Sequence, residues 1–99
     1  MTKEKSLHKF TMVAARHGFV AFAAYLNGVD DPKMTLGRRD VYVWVRKDTD
    51  NRQHSIYLWI WDNGQVACFY HYHQTNKIYA PCHCDNANQL SKALAQDGF

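Results

Sequence analysis

From Val41 onward, apolar side chains recur at every second position. Val41, Val43 and Val45 alternate with Tyr42, Trp44 and Arg46, and Ile56, Leu58 and Ile60 alternate with Tyr57, Trp59 and Trp61. A period of two is the pleat of a half-buried strand. It also makes register decisive, because slipping a strand by one residue moves every side chain to the other face. The centre of this chain is therefore a sheet, and the chain's function turns on which side chains share a face.

The punctuation fits a meander. The polar stretch KDTDNRQ separates the first two strands, and Asp62-Asn63-Gly64 is the strongest turn signal in the chain. Residues 65–74 read as a third strand. Thr75-Asn76-Lys77 reads as another turn, and 78–84 as a shorter fourth strand.

Before the sheet the period is helical. Leu7, Phe10 and Ala14 predict a helix over 3–17, stopped by Arg16, His17 and Gly18. The run Phe19 to Leu26 fits either a second short helix or a buried strand. Its alanines favour the helix, ended by Asn27-Gly28. Residues 86–96 read as a terminal helix with Leu90, Ala93 and Leu94 on one side, capped by Asp85 or Asn86. The expected fold is α+β, in one domain spanning 1–99. It has an N-terminal helix (or two short helices), an antiparallel meander of three to four strands and a C-terminal helix. A chain of 99 residues buries about two-thirds of its unfolded surface, enough for one modest core.

Three-residue loops at 62–64 and 75–77 set Ile60 opposite Val66, Leu58 opposite Cys68, Tyr72 opposite Ala80 and Tyr70 opposite Cys82. One face then collects Ile56, Leu58, Ile60, Val66, Cys68, Ile78, Ala80, Cys82 and Cys84. The other collects Tyr57, Trp59, Trp61, Phe69, His71, His73 and Tyr79, and Tyr42 and Trp44 are expected to join them. A two-residue turn at Asn63-Gly64 would scramble this sorting. The aromatic–histidine face is either a second core layer, with one helix on each side of the sheet, or a recognition surface. A homodimer that buries it is a third arrangement.

Charge narrows the choice only slightly. Twelve Lys or Arg against nine Asp or Glu give +3, which excludes an acidic nucleic-acid mimic. Six of the cations lie between 33 and 52, among them Arg38, Arg39 and Arg46. Aromatics on a sheet flanked by cations are the ingredients of a single-strand nucleic-acid reader. The signature of RNA-recognition sheets is missing from this sequence, however, and Asp40, Asp48 and Asp50 offset the basic run. His71, His73, Cys82 and Cys84 could supply four zinc ligands. Against that, one residue separates the cysteines, and the register points the histidines to the opposite face.

Catalytic patterns are weaker. The chain has one Glu, no Gly-rich phosphate loop and no nucleophile elbow. A histidine ribonuclease drawn from His71, His73 and Lys77 has nothing to fix its geometry. The first residues, MTKEK, are charged and lack a signal-peptide core, and three cysteines read as reduced thiols. The apolar run Phe19 to Leu26 is far short of the about 20 residues a membrane helix needs.

The expectation is a cytoplasmic, non-enzymatic binding module without a cofactor or membrane contact. It would act by occupying a protein partner's surface, in the manner of small phage or mobile-element inhibitors and accessory proteins. The expected contact residues are Tyr42, Trp44, Tyr57, Trp59, Trp61, Phe69, His71 and His73, with Arg38, Arg39 and Arg46. Nucleic-acid binding by the same face is the second reading, and zinc binding a further one.

Overall fold

The computed structural model describes residues 2–28, 38–48, 53–74, 77–78 and 82–96, with backbone only at 27, 28, 72–74, 77, 78 and 82. Helix α1 (Lys3–Arg16) leads into strands β1 (Val20–Gly28), β2 (Arg39–Lys47), β3 (Gln53–Trp61), β4 (Val66–Gln74), β5 (Lys77–Ile78) and β6 (Cys82–Cys84), and helix α2 (Ala87–Gln96) closes the chain. The described strands form an antiparallel sheet in the order β1-β2-β3-β4-β5, with β6 also pairing β4. This is the expected α+β meander, enlarged at the β1 edge. No helix among the described residues is long and apolar enough to cross a membrane.

Local chemistry sets the helix ends. The Thr2 hydroxyl accepts from the Lys5 N–H, satisfying one orphan donor of the first turn. Gly18, at φ 83°, ends α1 in the left-handed region that side chains avoid. The Arg46 guanidinium donates to the His17 carbonyl, placing a cation at the negative end of the helix. For α2, Asn86 proves to be the cap: its Oδ1 accepts from the Gln89 N–H at 2.9 Å.

The run 19–26 corrects one expectation. It forms β1, not a second helix. A helix there would span only about two turns, too short to hold itself. Alanine's preference amounts to only a few tenths of a kcal/mol per residue against most others. Against this, pairing with β2 from Val20↔Val45 to Gly28↔Arg39 satisfies a whole ladder of backbone groups. Phe19, just before the strand, turns into the core and meets Tyr70 edge-on at 6.4 Å.

The β3–β4 register follows from the turn. Gly64 sits at φ 91°, and the Trp61 N–H donates to the Gln65 carbonyl at 2.9 Å, closing a three-residue loop. Ile60↔Val66 and Leu58↔Cys68 then pair as expected, and Tyr70↔Cys82 holds on the next strand. The second turn differs. Gln74 pairs with Lys77, leaving two residues in the loop, so β5 is offset by one residue from β6. The expected Tyr72–Ala80 pair and the positions of Tyr79 and Ala80 lie outside the described residues.

Both helices pack on one face of the sheet. There Phe10, Val13 and Ala14 of α1 and Leu90 and Leu94 of α2 enclose Ile56, Leu58, Ile60, Cys68, Tyr70 and Cys84. A second expectation fails here. Tyr42 pairs with Leu58 and Trp44 with Ile56, so both rings lie on this helix-covered side, and Trp44 is 6% exposed. The two rings stack at 6.2 Å. Arg46 and Asp40 share their side, one bonding the end of α1 and the other holding Lys3 at 2.8 Å. These anchors and the volume beneath the helices fix the parity of β2, placing the valines outward.

Candidate binding face

The opposite, outer face is not covered by any helix among the described residues. Its centre is built by β3 and β4. Tyr57, Trp59 and Trp61 alternate with the buried aliphatic residues of β3, while on β4 Phe69 stands opposite Tyr57, Ala67 opposite Trp59 and His71 opposite Ser55. β2 contributes Arg39, Val41, Val43 and Val45, and β1 contributes Val20, Ala23 and Tyr25. His83 joins through its pairing with Phe69.

The rings pack against one another. Trp59 meets Trp61 edge-on at 6.3 Å and Phe69 at 5.4 Å, and Tyr57 meets His71 at 5.5 Å. His83 lies 5.3 Å from Phe69. The Arg39 guanidinium sits over the Trp59 ring, 4.2 Å from its centre, which is cation–π geometry. Tyr57, Trp59, Trp61, Phe69 and His71 all remain half-buried, so the layer is ordered by its own contacts yet open to solvent. On this face Arg39 Nε and Trp61 Nε1 are buried donors with no acceptor among the described residues. They belong to directly paired residues on the β2–β3 ladder.

Of the expected contact residues, Tyr57, Trp59, Trp61, Phe69, His71 and Arg39 therefore share one surface. Arg38 is exposed just before β2, where its backbone N–H donates to Asp62. Arg46, Tyr42 and Trp44 lie on the other side of the sheet. The His73 backbone pairs with Ile78, but its side chain lies outside the described residues. His83 and the valine row are members of the face that the sequence pattern does not single out. Alternation in VYVWVRK announces two faces without saying which one the helices cover.

The expected zinc ligands do not converge. His71 faces Tyr57 on the outer side, whereas Cys84 is buried on the helix side opposite Cys68. One ion cannot reach both through the sheet. The side chains of His73 and Cys82 lie outside the described residues. No group of three His, Cys, Asp or Glu among the described residues is placed to hold a metal.

Charge at the end of the sheet is structural. Lys3 bridges Asp40 at 2.8 Å and Asp62 at 3.1 Å, tying α1 to the β2 and β3 termini. The Asp40 hydrogen bond raises the Lys3 pKa above the ordinary 10.5, against a smaller opposing effect of burial. Tyr42 is raised above 10.0, chiefly because burial disfavours the phenolate. Comparison with protein-family models, curated proteins and solved structures returns no match.

Proposed function

We propose that this chain is a non-enzymatic binding module that occupies a protein partner's surface with the outer face of its sheet. The supporting observation is the segregation of the sheet. The helices lie on one side, and Tyr57, Trp59, Trp61, Phe69 and Arg39 are half-open on the other. Tyr, Trp and Arg are the residues that dominate protein-interface energetics. The partner surface that fits these half-open rings is accordingly apolar.

Protein is preferred over single-stranded nucleic acid for two reasons. Base stacking needs an open ring face, and the Arg39 guanidinium already lies over Trp59. In addition, Arg46 of the basic run points to the helix side.

The test is affinity capture with mass spectrometry, using wild type beside Trp59→Ala and Tyr57→Ala. A partner held by wild type and lost from both variants, at unchanged circular dichroism, supports the proposal. Equal retention by all three sinks it. A labelled oligonucleotide titrated at low and high salt provides the second arm. Tight binding that weakens steeply with salt would replace the protein reading with the nucleic-acid one.

A further inference from the structure

Strand β1 ends the sheet, and its outward backbone groups have no neighbouring strand among the described residues. Natural edges are defended by charge, by proline or by bulges, and β1 carries two register breaks that leave Ala23-Ala24-Tyr25 regular between them. Residues 20–28, VAFAAYLNG, contain no charge and no proline. Their large side chains are open to solvent: Val20, Phe22, Tyr25 and Leu26 are each 59–68% exposed. They are divided between the two sides of the sheet. Val20 and Tyr25 pair with Val45 and Val41 on the outer face. Phe22 lines a groove of about 460 Å³ with Leu7 and Thr11 of α1 and Tyr42 and Trp44 of β2, on the helix side. Leu26, next to outward Tyr25, falls on the helix side by alternation.

A partner lying on the aromatic face would cover Tyr25 and leave Phe22 and Leu26 in water. A further strand at the edge would cover all three at once. The strand's own sequence indicates which. We propose that two copies of this chain pair antiparallel through β1, about a two-fold axis at Ala24, into one continuous sheet.

The axis is located by the backbone. β1 departs from its β2 register between Ala21 and Ala23 and again between Tyr25 and Gly28. Ala23-Ala24-Tyr25 is the regular stretch between these irregularities, and Ala24 is its centre. Pairing Ala24 with itself sets Tyr25 opposite Ala23 of the second copy and Phe22 opposite Leu26 of the second copy. Both pairings occur twice, and each keeps its side chains on one side of the sheet. The large Tyr25 ring falls over a small alanine, and the two exposed helix-side residues cover each other beside the α1 groove. No charge is brought opposite a like charge. A foreign strand selected by complementary charge finds nothing to read on β1, whereas a second copy carries the size match by symmetry. The two-fold is perpendicular to the sheet, so both aromatic faces lie on the same side. The proposal does not rest on the binding role of that face.

Sedimentation across micromolar to submillimolar concentrations tests the assembly. Wild type should approach twice the monomer mass. Phe22→Lys/Leu26→Lys should halve that mass at an unchanged circular dichroism spectrum, because both side chains are exposed in the single chain; its thermal midpoint should lose the concentration dependence that a dimer confers. Phe22→Glu/Leu26→Glu should do the same, and mixing the two variants should restore a mixed dimer. Ala24→Cys should form a reducible cross-linked dimer under mild oxidation, with wild type as the control for its own thiols. Wild type that stays monomeric throughout overturns the proposal. So does a dimer that survives the lysine pair but dissociates on Trp59→Ala, which would assign the contact to the aromatic face.

Discussion

Leu58 and Trp59 are neighbours in β3 and occupy different environments. Leu58 is fully buried between the sheet and the helices, while Trp59 stands half-open under the Arg39 guanidinium. The strand pleat puts one residue in each. What separates them is cover: both helices chose the aliphatic side, leaving the aromatic side to pack against itself. The difference shows how a small chain can hold a large apolar surface near water. Edge-to-face rings and a cation–π contact order that layer without sealing it.

The largest expected effect tests the covered side. Leu58→Ala should cost about 2–5 kcal/mol in urea-induced unfolding, the range for a buried leucine that leaves a cavity. Trp59→Ala should cost less, about 1–3 kcal/mol from two edge-to-face contacts at about 0.5–1.5 kcal/mol each, while abolishing partner capture. If Trp59→Ala destabilises as much as Leu58→Ala, the comparison breaks and the outer face is core.

Smaller effects sharpen it. Asn86→Ala removes the α2 cap and should cost about 1 kcal/mol, measured by thermal unfolding. Partner binding should survive, because α2 lies on the far side of the sheet. The weakest effect concerns pH. Folding raises the pKa of Lys3 and of Tyr42, so the folded state holds their protons more tightly than the unfolded one. Both contributions are complete below about pH 10 and are lost as pH rises through the folded values. Unfolding free energy should therefore decline on the alkaline side. Lys3→Met should flatten part of that decline, as read from urea titrations at stepped pH.

Much of this comparison is legible in the amino-acid sequence. The β3–β4 register needs only the alternation and the left-handed Gly64, because a short loop transmits parity from one strand to the next. That places Tyr57, Trp59, Trp61, Phe69 and His71 on one side. Between β2 and β3 the link is longer. Parity is lost across it, and alternation alone leaves open which face takes Tyr42 and Trp44; the expectation that they join the aromatic face has no local pattern behind it. The run 19–26 carries patterns for both periods, and its state depends on β2 offering an edge to pair with.

The sequence by itself determined the two terminal helices, the hairpin at Asp62-Asn63-Gly64 and the sorting of β3 against β4, all of which rest on contacts close along the chain. Only the tertiary structure decided that both helices lie on one side, that Trp44 belongs beneath them, and that β1 extends the sheet. Those outcomes come from competition between faces for the same helices and between ladders for the same backbone groups. No local pattern records the result of such a competition, because each side of it is encoded in a distant part of the chain.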